Sequence, residues 1–264
     1  MKYKNIVHGR FISRSNRFIA EVEMGTEDAE ETESAGSRVQ SEEAEKFPRI
    51  ERVHVKNTGR CRELLLPGAR VVLEKSDNPN RKTRYDLIAV YKEKPAEKDG
   101  EDGGDGERGD QKVKFPLLVN IDSQAPNKVA AEWLKTRQFD IIQPEYRFGE
   151  SRIDFYMEKN RQKYLMEVKG CTLEIGGIGY FPDAPTERGV RHLRELERAV
   201  KEGYVCYAAF VIQMEGVNEV RPNTVTHPEF GEVLDRARKA GVQILFLGCR
   251  VKEDEIFIDR VFLE

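Results

Sequence analysis

A chain of 264 residues, 39% hydrophobic and 34% charged with a mean hydropathy of -0.64, suits one large domain or two small ones with ample length for a core. No apolar run approaches the ~20 residues of a membrane span, and MKYKNIVHGR lacks a signal peptide's apolar stretch. These features exclude a membrane protein, a secreted precursor and a coiled coil, and a cytoplasmic location is expected. The formal charge of -3 hides a partition: residues 24–47 carry -6 and residues 93–112 carry -4, leaving +7 on the other 220, a basic body suited to polyanions.

In chain order, residues 1–92 predict a small β domain. Residues 5–8, 10–12 and 17–22 have strand character. The acidic stretch 24–47 follows; it is poor in apolar periodicity and is expected to be a solvated loop insertion. Residues 52–55 lead into the turn Asn57-Thr58-Gly59-Arg60, and Pro67-Gly68 turns the chain again after Leu64-Leu65-Leu66. Residues 70–74 and 84–91 complete five or six short strands, as in a small barrel or sandwich. The second acidic stretch, 93–112, falls where an inter-domain linker or a barrel loop would lie.

Residues 113–264 predict a mixed α/β domain. Residues 127–135 have helical spacing, and 151–157 and 163–169 are strands. Residues 186–202 form an amphipathic helix with the stripe Val190, Leu193, Leu196 and Val200, capped at Gly203. Residues 204–213 read as a strand buried on both faces, 228–240 as a helix stopped by Gly241, and 242–247 as the next strand, a βαβ unit with parallel pairing. Cys61, Cys171, Cys206 and Cys249 stand alone without a CxxC pair, and are expected to be reduced core thiols.

The stretch with chemistry runs from Ser151 to Gly170. Alternation puts Ile153 and Phe155 on one strand face and Asp154 on the other, and it puts Glu167 and Lys169 together on the next strand. A hairpin turning at Asn160-Arg161 brings Asp154 opposite Glu167, where like charges are destabilising and call for a cation. Lys169 supplies one, and Mg²⁺ or Mn²⁺ on these hard oxygen ligands could supply another. Such an ion polarises a phosphoryl oxygen and acidifies a bound water, which the lysine can orient or deprotonate. Downstream, Arg188 and His192 are helical i,i+4 neighbours with Arg191 beside them, at a helix start able to receive a phosphate.

These segments together resemble the sugar fermentation stimulation protein A family. The resembling residues are Asn57-Thr58-Gly59-Arg60, Glu63-Leu64-Leu65-Leu66-Pro67-Gly68, Ser151-Arg152-Ile153-Asp154-Phe155 and Glu167-Val168-Lys169. Phe181-Pro182-Asp183-Ala184, Thr186-Glu187-Arg188-Gly189 and His192-Leu193 complete the set. The resemblance implies an OB-like barrel over residues 1–92 and a PD-(D/E)xK nuclease-like domain over 113–264. It also implies sequence-nonspecific DNA binding and a regulatory role in sugar (maltose) metabolism. Carried over, the nuclease motif makes Asp154 and Glu167 metal ligands and Lys169 the catalytic lysine, with Glu132 as a further acidic ligand on the first helix.

The expected function is therefore sequence-nonspecific DNA binding by the basic body, in a protein that also carries a nuclease-like Mg²⁺ or Mn²⁺ site. Arg60, Arg62, Arg188, Arg191 and His192 are the expected nucleic-acid contacts. The alternatives are a Mg²⁺-dependent nuclease and an RNA- or single-strand-binding protein whose barrel aromatics stack on bases.

Overall fold

The computed structural model describes residues 1–25, 48–57, 59–93 and 115–264. The acidic stretches expected to be loop insertions lie, but for their first residues, outside the described residues.

The first strands close into a five-stranded barrel. They are β1 (Ile6–Asn16), β2 (Ile19–Met24), β3 (Arg49–Val55), β4 (Arg70–Lys75) and β5 (Tyr85–Lys92), ordered β3-β2-β1-β4-β5. A parallel pairing of His54 with Asp86 and Val55 with Leu87 closes the ring, so the barrel alternative holds over the sandwich. Two register shifts, between Phe11 and Ser13 and between Arg14 and Asn16, bend β1. They break its alternation, which is why one 11-residue strand looks like two pieces in sequence. Ala20, Val22, Val53, Val72, Leu73, Leu87 and Val90 are fully buried along these strands. β6 (Leu117–Asn120) lies beyond the second acidic stretch, yet it hydrogen-bonds to β5.

The second sheet has the order β15-β14-β12-β9-β8-β7. Its strands are β7 (Ile141–Phe148), β8 (Ser151–Lys159), β9 (Gln162–Cys171), β12 (Val205–Ile212), β14 (Gln243–Val251) and β15 (Ile256–Leu263). The predicted βαβ pairing is present: β9, β12 and β14 run parallel. Helices α1 (Ala125–Leu134), α2 (Glu187–Lys201) and α3 (Pro228–Lys239) cover the sheet, and β10 (Leu173–Ile175), β11 (Ile178–Phe181) and β13 (Val220–Pro222) form a small sheet beside it.

Alternate residues of the same strands serve opposite layers. Leu165, Ala208, Phe210 and Phe246 join Leu193 and Leu196 of α2 and Phe230 of α3. Met166, Val168, Ala209, Val211 and Leu247 join Val129 and Leu134 of α1. Each fully buried large apolar side chain contributes about 1.5–3 kcal/mol. Both clusters continue into the barrel, through Leu73 and Leu87 in the first and Val72 and Ile88 in the second. Barrel and α/β domain therefore share their cores.

Polar bonds tie the same junction. Lys56 of the barrel side meets the fully buried Asp122 at 2.9 Å, and Lys92 meets Glu174 at 2.5 Å. All four cysteines are buried and unpaired, and burial pushes each thiol up to about 12, as expected of inert core residues. Among the described residues no helix is long and apolar enough to cross a membrane.

Candidate metal centre

Strands β8 and β9 form the hairpin that the sequence predicts. Asn160 and Arg161 both take positive φ, +52° and +67°, as a two-residue turn between twisted strands requires. Lys159 pairs with Gln162, and the register runs on to Phe155 opposite Met166. There the ladder stops. Asp154 is the next residue on β8, and its side chain takes the place of a strand partner: Oδ2 accepts the Val168 N–H at 2.7 Å. Asn127 of α1 donates to Oδ1 at 2.8 Å.

Glu167 projects on the α2 side of the sheet, 2% exposed. Its Oε1 takes two donors, the Lys169 ammonium at 2.6 Å and Nδ1 of His192. Its Oε2 is buried and has no hydrogen-bond partner among the described residues. Burial alone would raise the Glu167 carboxyl, but the Lys169 charge and the His192 bond outweigh it and hold it below the ordinary value. Asp154 goes the other way. Burial first, then the Glu167 charge, raise it, and the Val168 N–H, Lys169 and Asn127 offset only part.

Two neighbouring carboxylates thus have their affinities for protons pushed apart. The orphaned Glu167 Oε2 is an acceptor that a cation would satisfy. An unsatisfied buried acceptor costs about 1–3 kcal/mol, which a hard divalent ion between Asp154 and Glu167 would offset.

Glu132 is not brought to this place. Its carboxylate takes the N-terminal ammonium at 2.7 Å and is half exposed. Five residues at 3.6 per turn put it ~140° around α1 from Asn127, so one helix cannot aim both side chains at Asp154. α1 therefore serves the site through an amide, and the resemblance to an acidic first-helix ligand misleads here. Nothing in the local pattern marks Asn127, which is visible only once α1 packs against β9.

Gly170, directly after Lys169, fixes the far side of the strand. A Cβ there would lie 2.4 Å from Oε1 of Gln213 and 2.7 Å from Cγ of Pro126 in α1. Neither neighbour yields easily, because Nε2 of Gln213 is bonded to Asn120 and Asp122 and the proline is part of a helix N-terminus. Gly170→Ala is expected to cost about 2–3 kcal/mol, measured by urea unfolding. A loss under about 0.5 kcal/mol would show that this junction is loose.

The other predicted contacts divide into two groups. Arg60 and Arg62 are exposed on the barrel loop after Asn57, and Arg188 and Arg191 are exposed on the first turns of α2. Asp183 joins these regions by accepting the Cys61 N–H at 3.0 Å. Arg14 secures the loop by donating to the carbonyls of Asn57, Gly59 and Arg60. His192 differs from the expectation. It is 1% exposed and bonded to Glu167, so it is a part of the centre's interior and not a nucleic-acid contact.

A second group of ligand-type residues, Glu187, His227 and Glu229, lies where α2 and α3 begin. Nδ1 of His227 accepts the Thr186 N–H at 3.2 Å, which leaves the neutral ring's proton on Nε2. That nitrogen faces Glu187 and Glu229 at 3.6 and 3.9 Å. These three groups converge within reach of one ion, and the side chain of His227 makes no cap bond to α3.

Two family models match the two halves of this architecture. The model of the sugar fermentation stimulation protein RE domain matches residues 124–255, and that of the SfsA N-terminal OB domain matches residues 12–96. The chain belongs to the sugar fermentation stimulation protein family.

Family members include a homolog from Desulfitobacterium hafniense (strain Y51), 47% identical over 97% of this chain and 94% of its own length. A homolog from Clostridium beijerinckii is 45% identical over 98% of this chain and 96% of its own. The structure of Pyrococcus furiosus SfsA in complex with Ca2+ aligns with a TM-score of 0.73 and 25% identity, over 99% of this chain and 96% of that one. The OB domain and the α/β domain expected from the sequence are thus the family's architecture.

Proposed function

We propose that this sugar fermentation stimulation family protein binds DNA without reading sequence and hydrolyses phosphodiesters at a divalent cation held by Asp154 and Glu167. The observation that carries this is the partnerless, buried Oε2 of Glu167 beside the raised carboxyl of Asp154. Calcium in the Pyrococcus relative supports a hard cation, since Ca²⁺ and Mg²⁺ share oxygen ligands. A Mg²⁺ or Mn²⁺ ion there would polarise a phosphoryl oxygen and lower the pKa of a bound water.

The chain's own residues supply the rest. Lys169 sets its ammonium against Glu167, where it can orient an attacking water and offset charge gathering on phosphate. Arg60, Arg62, Arg188 and Arg191 would contact backbone phosphates, which fixes a duplex without reading bases. A regulatory effect on sugar (maltose) metabolism is the cellular role in keeping with the family.

Fluorescence anisotropy and plasmid nicking test this together. With four such phosphate contacts, duplex affinity is expected to fall about a hundredfold between roughly 50 and 200 mM salt. Nicking is expected with Mn²⁺ or Mg²⁺ and not with EDTA. Affinity flat with salt would overturn the DNA-binding proposal, as would a preference for single strands or RNA. Intact plasmid with every metal would overturn the hydrolytic one.

A further inference from the structure

The bonding around Glu167 extends outward by one more residue. His192 accepts the Arg188 Nε–H at its own Nε2, 3.4 Å away, which assigns the ring proton to Nδ1 and aims it at Oε1 of Glu167. Arg188 is exposed one helical turn before His192, whereas His192 and Glu167 are 1% and 2% exposed. A guanidinium has five N–H donors, and the contact with His192 uses one. The row therefore runs from a surface group able to clamp a phosphate to a buried carboxylate whose second oxygen is orphaned.

We propose that Arg188, His192 and Glu167 form a linkage through which a phosphate held by Arg188 tightens divalent-cation binding at Glu167, and the cation in turn tightens the phosphate. This rests on the metal-dependent function proposed above. Arg188 is free to leave a 3.4 Å contact when its outer nitrogens are merely hydrated. A phosphate that fixes the guanidinium also fixes the ring's hydrogen-bond acceptor, and with it the tautomer whose Nδ1–H secures Oε1. The plane of the carboxylate is then set, and Oε2 alone faces the cation. Part of the ordering cost of each ligand is thereby met by the other, and equilibrium coupling of this kind is reciprocal. His192 acts as a positioning residue, touching neither phosphate nor cation.

Calorimetric titration with Ca²⁺, without and with a saturating short DNA duplex, reads the coupling as a ratio of dissociation constants. In the wild-type protein the duplex is expected to tighten Ca²⁺ by about fivefold or more. His192→Asn places its amide nitrogen where Nδ1 was and nothing where Nε2 was. It should still bind Ca²⁺ but show a ratio near one. His192→Leu, with no donor, should bind Ca²⁺ more weakly and also show no coupling, so rescue by asparagine separates positioning from packing. Arg188→Gln, a surface change, should give a ratio near one at saturating duplex. A wild-type ratio of one, or a wild-type ratio retained in Arg188→Gln or His192→Asn, overturns the linkage while leaving the metal centre intact. A wild-type protein that binds no Ca²⁺, Mg²⁺ or Mn²⁺ overturns the metal centre itself, and the linkage with it.

Discussion

Glu167→Gln is expected to weaken Mn²⁺ binding by at least about a hundredfold, to reduce any plasmid nicking by about 10²- to 10³-fold, and to lower stability. The amide has one acceptor and one donor end, and neither orientation suits the pocket. With the NH₂ at the Oε1 position it meets the Lys169 ammonium and the Nδ1–H of His192, donors at both sides. Inverting the His192 tautomer would relieve one of these but would give up the contact with the Arg188 Nε–H. With the NH₂ at the Oε2 position it points donors at the place where the proposed cation would bind. The first orientation leaves buried polar groups unpaired at about 1–3 kcal/mol each, and the second removes the ligand. Calorimetry with Mn²⁺, a nicking assay and thermal unfolding measure the three effects. Mn²⁺ affinity within about threefold of wild type would show that Glu167 is not a ligand.

Much of this centre is legible in the amino-acid sequence. The hairpin register follows from counting outward from Asn160-Arg161, since the side-chain period of two and a two-residue turn leave one alignment that keeps Met166 and Val168 on a buried face. The apolar stripe of α2 and the parallel β9-β12-β14 pairing are equally local signals. What escapes is polar burial. His192 has the i,i+4 spacing of a surface partner for Arg188, and only the docking of α2 on β9 shows that it faces inward to Glu167. Glu132 carries the expected chemistry on the expected helix but on the wrong side of it, a matter of α1's rotation, which tertiary packing sets. β7 is missed for another reason. It is an edge strand, mostly exposed on both faces and interrupted by Pro144, so it shows no apolar alternation.

Asp154→Asn is expected to have opposite effects without and with metal. In the cation-free protein, burial and the neighbouring Glu167 charge raise the Asp154 carboxyl above its unfolded value. The sign follows from linkage: a raised folded value gives stability that is full below the unfolded pKa and is lost as pH rises through the folded one. Above the unfolded value the raised Asp154 carboxyl is therefore a cost to the native state. Asparagine removes that cost and keeps the bonds, since its carbonyl can accept the Val168 N–H while the Asn127 amide turns to present oxygen to the new NH₂. The apo variant should melt no lower than wild type at pH 7, and any advantage should vanish as the pH is lowered through the carboxylate range. Saturating Mn²⁺ should reverse the order. At about 100 times its dissociation constant a ligand stabilises by roughly 2.7 kcal/mol, a rise of roughly 5–10 °C for a chain of this size, which the variant should forgo. Melting curves at pH 5 and pH 7, with Mn²⁺ and with EDTA, separate these terms. Equal Mn²⁺ shifts in both proteins would mean that Asp154 holds no cation. A variant much less stable than wild type in EDTA would mean that the carboxylate is kept for the fold, with its repulsion from Glu167 already balanced by Lys169.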